Sequence, residues 1–267
     1  MKSKTELKKL LKFTENLARE SGKILLKEQK GVKIIRYKDR QDIATNADLI
    51  SENYIIENVL SHYPNHSILS EERGEINSGS SFRWIIDPLD GTKEFSHQLP
   101  LFNVSITLQL ERETIVGVVF RPADSNLYSA AKNLGSYHNG QRRSVSRTEN
   151  LKDAFLYCYL PSYKRQKEKY DKAWYSLGKI GKYVYRLRGL SDANSVLSWL
   201  SHGGCDGYLN ISNPQPIHDI AAGMLIAKEG GAVISDLEGK DIGNSNPNTF
   251  IAANNRIILK QILNVIS

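Results

Sequence analysis

Five carboxylates stand out by their settings. Asp48 ends DIATNAD, Glu71 lies in SILSEERG, Asp87 and Asp90 sit three apart in WIIDPLDGTKEF, and Asp219 follows His218 in HDIAAG. Carboxylates gathered at the end of a buried strand repel one another and lose hydration, so they require positive charge between them. No lysine or arginine lies inside DIATNAD, SEE, DPLDGT or HDIAAG, which points to a metal ion. Carboxylates with a free backbone carbonyl make a hard-oxygen set, suited to Mg²⁺ or Mn²⁺ rather than zinc. Pro88 stiffens the backbone between the two aspartates. Gly91 permits a sharp turn, Thr92 begins a helical turn, and their N–H groups suit a phosphate. A metal beside an anion cradle is the apparatus of phosphoryl chemistry.

The surrounding patterns say which elements hold these residues. Leu7, Leu10, Leu11, Thr14, Leu17, Ala18, Ser21 and Leu25 recur at helical spacing, predicting one long amphipathic helix. GVKIIRYKDRQDIATNAD reads as an extended hairpin. A helix follows from about Ala47 to Leu60, with Thr45 or Asn46 near its cap. SILSEERG and Phe82–Ile86 read as strands that end at the acidic residues. VSITLQL and TIVGVVF predict an antiparallel pair, and Asn139-Gly140 a two-residue hairpin turn.

Further on, Ala193, Val196, Leu197 and Leu200 mark a helix ending at Gly203-Gly204, GYLNI a strand, and Asp219–Lys228 a helix ending at Gly230-Gly231. AVISD and FIAAN read as strands, and Leu259, Ile262, Leu263 and Ile266 as a last helix. Strands enclosed by helices make this an α+β protein. A soft boundary near residue 150 divides it into halves, 1–150 and 151–267, with a cleft between them.

Composition narrows the classes. The chain has 267 residues, 40% hydrophobic and 24% charged, as in an ordinary globular protein. No apolar run reaches the roughly 18 residues of a membrane span, and the N-terminus lacks a signal-peptide block. Cys158 and Cys205 are far apart and form no CxxC pattern, so the cytoplasm is the default compartment. The formal charge of +7 favours anionic ligands. Residues 164–186 interleave aromatics with lysines as single-strand binders do, but Glu168 and Asp171 interrupt them, and a solvated helix face is the expectation.

DIATNAD, SEE, WIIDPLDGT, GVVFRP followed by GSYHNG, and HDIAAG followed by EGGAV together resemble the inositol monophosphatase superfamily of Mg²⁺-dependent, lithium-sensitive phosphatases. The resemblance covers nearly the whole chain. It implies a layered αβαβα sandwich with the active site between the halves, two to three Mg²⁺ ions, and a homodimer. By motif, Glu71, Asp87 and the Leu89 carbonyl correspond to the first metal site, and Asp87, Asp90 and Asp219 to the second. A third, weaker ion would also touch Glu71. Glu71 and Thr92, with Asp48, would activate the attacking water. Asp90, Gly91, Thr92, Ser191, Asp192 and Asp219 would contact substrate.

The implied substrate is an inositol or sugar monophosphate, with neither nucleic acid nor membrane as partner. Lys93-Glu94-Phe95 resembles the bacterial 3'(2'),5'-bisphosphate nucleotidases instead, which makes adenosine 3',5'-bisphosphate the alternative, with fructose 1,6-bisphosphate a third. A catalytically silent relative binding RNA or protein through 164–186 is the reading from another class. Asp192 has two readings: a pocket charge that repels a second phosphate, or a helix cap. His218 replaces the family's tryptophan and would touch substrate or orient Asp219.

Overall fold

The computed structural model describes residues 2–39, 42–77, 79–164, 167–243 and 247–266. The chain opens with helix α1 (Lys4–Glu28), the hairpin β1 (Ile34–Asp39) and β2 (Asp42–Thr45), and helix α2 (Asn46–His62). Strands β3 (Ser67–Ser70), β4 (Gly74–Ile76) and β5 (Phe82–Asp90) lead into the one-turn helix α3 (Thr92–Ser96). A meander follows: β6 (Asn103–Leu110), β7 (Glu113–Arg121), β8 (Asn126–Ala131), β9 (Gly135–His138) and β10 (Gln141–Arg143). Next come β11 (Phe155–Cys158), α4 (Lys167–Gly181), β12 (Arg186–Gly189), α5 (Ala193–Leu200) and β13 (Gly207–Asn210). The chain closes with α6 (Ala221–Glu229), β14 (Val233–Ser235), β15 (Phe250–Ala253) and α7 (Arg256–Ile266).

Two sheets organise these elements. One has eight strands in the order β10-β9-β8-β7-β6-β5-β3-β4, and the other five in the order β12-β11-β13-β15-β14. Side-chain alternation makes each sheet apolar on both faces. On β7, Val118 joins a core with Leu10, Leu25, Ile55 and Trp84, while its neighbour Val119 joins Tyr128, Ala222 and Ile226 on the opposite face. On β13, Tyr208 packs with Leu197 and Met224, and Leu209 with Leu177 and Ile258.

Four apolar cores therefore separate five layers: α1 and α2, the large sheet, α5 and α6, the small sheet, then α4 and α7. This is the expected α+β sandwich, αβαβα in order. Close approach in the middle is bought with small residues: a Cβ on Gly117 of β7 would lie 2.9 Å from the Ala222 carbonyl of α6.

The predicted stripe on α1 is buried, from Leu7 to Leu25, so its apolar face packs on the protein's own core. The Asn139-Gly140 turn has positive φ at both residues, 48° and 78°. The β6–β7 connection does the same without glycine, through Glu111 and Arg112. Three strands escaped the sequence pattern: β4, three residues long, and β11 and β12, each four residues long and with β12 largely exposed. Residues 167–181 form a helix buried only at Ala173, Ser176, Leu177 and Ile180. None of the helices is long and apolar enough to cross a membrane, among the described residues.

Candidate active site

The DPLD segment carries the decisive local geometry. Asp87 pairs with Ser105 of β6 and Asp90 with Asn103, with the register shifted between them. Ser105 and Asn103 are two apart and face the same way, so the extra residue in β5 turns both aspartates to one side of the sheet. Gly91 follows at φ +87°, and a Cβ there would lie 2.5 Å from the Leu101 carbonyl oxygen. Glycine is required twice, for conformation and for space.

Glu71 reaches the same corner because β3 runs parallel to β5, with Ser70 beside Ile86. The Glu71 N–H then donates to the Ile86 carbonyl at 3.2 Å. Glu52 of α2, fully buried, holds the turn that follows. It accepts from the Glu72 and Arg73 N–H groups at 3.1 Å each and from the Ser70 hydroxyl. Glu72 itself ion-pairs with Arg36 of β1.

Asp48 sits in the first turn of α2. Its Oδ2 accepts from the Thr45 N–H at 2.9 Å and from the Thr45 hydroxyl, and its Oδ1 from the Thr92 hydroxyl at 3.2 Å. The Thr92 hydroxyl also lies 3.0 Å from the Leu89 carbonyl oxygen. Burial pushes the Asp48 carboxyl up to about 6, against the Thr45 hydrogen bonds that pull it down, with Glu71 and Glu72 adding to the rise.

Asp219 arrives from the other end of the chain. It closes a 3₁₀ turn, Ile217–Asp219, and α6 begins only at Ala221. The predicted helix start at Asp219 is therefore two residues early: Ile220, at φ −132°, breaks the helical path. The turn is pinned through the His218 carbonyl, which accepts from Ser105 Oγ at 3.0 Å and from Asn194 Nδ2 at 2.8 Å. His218 Nε2 lies 3.2 Å from Asp219 Oδ1.

One cavity of about 160 Å³ collects Glu71, Asp87, Leu89, Asp90, Gly91, Thr92, Ser191, His218 and Asp219, with Lys93, Glu94, Tyr159 and Pro216. Asp48 touches it through Thr92. Asp192 is not among the lining residues. It is 4% exposed and caps α5, accepting from the Ser195 N–H at 2.8 Å, behind Asp90. A larger cavity of about 680 Å³ shares Lys93, Glu94, Tyr159 and Ser191 with the first and adds Tyr163, Lys164 and Tyr170.

The electrostatics are lopsided. Burial, then Glu71, Asp90 and Asp219, push Asp87 well above the usual carboxylate range. Burial, Asp192 and Asp219 do the same to Asp90. Glu71 therefore crowds Asp87, and Asp192 crowds Asp90, each disfavouring a second negative charge beside it. Among the described residues, no three His, Cys, Asp or Glu side chains stand in finished ligand geometry. What the fold supplies is the gathering: Glu71, Asp87, Asp90 and Asp219 line a single cavity with Leu89 and a fifth carboxylate, Glu94, a set of hard oxygens. That donor set fits a divalent hard cation, which would offset the repulsion among the carboxylates. Neither cysteine offers a nucleophile. Both are buried, and burial pushes the Cys158 thiol up to about 11 and raises Cys205 further.

Comparison with known proteins places the chain in a family. A profile of the inositol monophosphatase family matches residues 6–266. The fructose-1,6-bisphosphatase/inositol-1-monophosphatase of Aquifex aeolicus is 35% identical over 266 residues, 97% of this chain and 96% of the relative. The Nus factor SuhB of Escherichia coli K12 is 30% identical over 261 residues, 96% of this chain and 95% of its own. Among solved structures, the Thermotoga maritima IMPase superposes with a TM-score of 0.85 at 28% identity, covering 97% of this chain and 96% of that one. The chain belongs to the inositol monophosphatase family.

The sequence reading missed two residues that hold the site together. Glu52 carries a signal, since it falls in the buried stripe of α2 with Asp48, Ser51, Ile55 and Ile56. Asn103, which donates to Asp90 at 3.0 Å, carries none beyond being polar at the start of an apolar strand.

Proposed function

We propose that the protein is an Mg²⁺-dependent phosphomonoesterase that hydrolyses an inositol or sugar monophosphate with water as the nucleophile. The observation that carries this reading is the convergence of Glu71, Asp87, Asp90 and Asp219 on one cavity beside Gly91 and Thr92. Glu71, Asp87 and the Leu89 carbonyl would hold one ion, and Asp87, Asp90 and Asp219 a second, with a third and weaker ion also touching Glu71. Bound Mg²⁺ supplies positive charge to the phosphoryl group and makes water more acidic. The Thr92 hydroxyl, held between Asp48 and the Leu89 carbonyl, orients the water. Glu71 and Asp48 take up its proton, a role that suits an Asp48 carboxyl raised to about 6. Gly91, Thr92 and Ser191 contact the substrate. The reading includes millimolar sensitivity to lithium, a cytoplasmic setting and a homodimer.

A second substrate reading has one observation in its favour. The larger cavity presents Lys93 and Lys164 with Tyr159, Tyr163 and Tyr170, while Asp192 stands outside the smaller one. Residues 164–188 hold nine Lys and Arg against two acidic residues, a surplus equal to the formal +7 of the chain. Such a field concentrates polyanions. It favours a leaving group with a second phosphate, as in adenosine 3',5'-bisphosphate or fructose 1,6-bisphosphate.

Phosphate release from inositol 1-phosphate, fructose 1,6-bisphosphate and adenosine 3',5'-bisphosphate, each with and without Mg²⁺, separates these readings. The lead predicts the highest kcat/KM on inositol 1-phosphate. Preference for either bisphosphate, reduced by Lys164→Ala, selects the second. No Mg²⁺-dependent release from any substrate overturns both and leaves the silent, RNA- or protein-binding relative.

A further inference from the structure

A buried polar row crosses the large sheet behind the cavity. Asp90 of β5 pairs with Asn103 of β6, and Arg121 of β7 stands one place beyond the Val104–Phe120 pair. The row ends at the N-terminus of α5, on Asp192 and Ser195. Asn103 is fully buried, and Arg121 and Asp192 are 5% and 4% exposed.

The amide of Asn103 is the junction. Its Nδ2 donates to Asp90 Oδ2 at 3.0 Å and to Asp192 Oδ1 at 3.0 Å, and lies 3.4 Å from Ser195 Oγ. Asp192 Oδ1 also caps α5. Arg121 supplies the counter-charge: Nη1 donates to Ser195 Oγ at 3.2 Å and lies 3.9 Å from Asp192 Oδ2. The guanidinium is itself fixed by Asp124 at 3.1 Å and by the Trp199 ring at 5.1 Å. Among the described residues, no N–H donor reaches Asp192 Oδ2 or satisfies Asn103 Oδ1.

Burying two carboxylates, an amide and a guanidinium is expensive, and an apolar core of the same volume would be at least as stable. The expense has a use if the row fixes one rotamer of Asp90. We propose that Asn103 and Asp192 are positioning residues for the second metal site: Asp192, neutralised by Arg121, anchors the Asn103 amide, and that amide holds Asp90 toward the cavity. Asp192 thus acts on the metal position from α5, through Asn103, and not on the substrate. The inference rests on the metal reading above. Outer-shell partners of metal ligands are worth about 10- to 100-fold in affinity when removed.

The test is Mn²⁺ binding to the full-length protein, followed by calorimetry and by the electron paramagnetic resonance of free Mn²⁺, with circular dichroism to confirm folding. Wild type is expected to bind at least two Mn²⁺. Asn103→Leu should weaken the second by about 10- to 100-fold and leave the first unchanged. Asp192→Asn keeps the cap and the Oδ1 acceptor, so it should weaken the second ion less than Asp192→Ala does. In the Asn103→Leu/Asp192→Ala double variant the two losses should not add, because they act through one amide. Folded Asn103→Leu protein with wild-type Mn²⁺ binding overturns the proposal, and so do additive losses. A wild type that binds no Mn²⁺ overturns the metal reading itself, and the proposal with it.

Discussion

Glu52 and Asp87 lie on either side of the Glu71 turn, both buried, and they are dressed in opposite ways. Glu52 accepts two backbone N–H groups and the Ser70 hydroxyl, and Arg73 Nε stands 3.6 Å from its second oxygen. Asp87 receives the Leu89 N–H at 3.1 Å and otherwise faces Glu71, Asp90 and Asp219. A carboxylate whose neighbours are N–H groups, a hydroxyl and a guanidinium has its charge answered within the protein, although Glu52 Oε2 makes no hydrogen bond. One surrounded by other carboxylates is finished only by something from outside. The difference separates a residue that builds the site from one that works in it, and burial alone would have grouped them.

That contrast breaks most visibly by mutation. Asp87→Asn and Asp90→Asn each remove a repulsion and, on the proposed reading, a ligand charge. Turnover should fall by about 10³ or more, from roughly 4 kcal/mol of lost transition-state stabilisation. The melting temperature should stay level or rise, since active-site repulsion costs stability. A loss of activity that merely tracks unfolding would erase the distinction. Glu52→Ala should do the reverse. Leaving two N–H groups and a hydroxyl unpaired costs about 3 kcal/mol, or roughly 6 to 12 °C in a domain of this size, and whatever folds should lose far less turnover than Asp87→Asn does.

The neighbours in SEE sharpen the comparison at a smaller scale. Glu71→Gln should abolish Mg²⁺-dependent turnover. Glu72→Gln should change it no more than a few-fold, because Glu72 is committed to Arg36 of β1 and is not among the residues lining the cavity. Greater sensitivity at Glu72, read from steady-state phosphate release, would mean that the two side chains exchange roles on metal binding.

How much of this was readable beforehand depends on how local the cause was. The α1 stripe, the Asn139-Gly140 turn and the acidic motifs are legible because each acts within a few residues. DPLDGT announces two carboxylates. It does not announce that they share a face, since this follows from a bulge against Ser105 and Asn103 of another strand. Strands β11 and β12 are short, and β12 lies at a sheet edge, where the alternating pattern is weakest. Asp192 looked the same as a pocket charge or as a cap until α5 was placed against β6. Asn103 has meaning only beside Asp90 and Asp192.

The smallest effect lies outside the cavity lining. His138 and His202 stack at 4.9 Å beside Tyr128, and burial lowers the pKa of both. The fold thus disfavours the protonated rings, whereas unfolded histidine titrates near about 6.5. Their contribution to stability is full above that value and is lost as pH falls below it. Melting temperatures from pH 7.5 to 5 should decline less steeply for His202→Phe, which keeps the stack without the charge. Equal slopes would remove these rings from the acid response.

If a divalent cation completes the carboxylates at the cavity and the reaction needs it, activity and stability must rise together as it binds. The most direct measurement is a Mg²⁺ titration of rigorously chelated protein, with phosphate release from inositol 1-phosphate and from the two bisphosphates recorded alongside the melting temperature. The account predicts no release before addition, then a rise in release and in melting temperature over the same Mg²⁺ range, both absent in Asp87→Asn. Full turnover in the chelated protein, or a melting temperature indifferent to Mg²⁺, would contradict it.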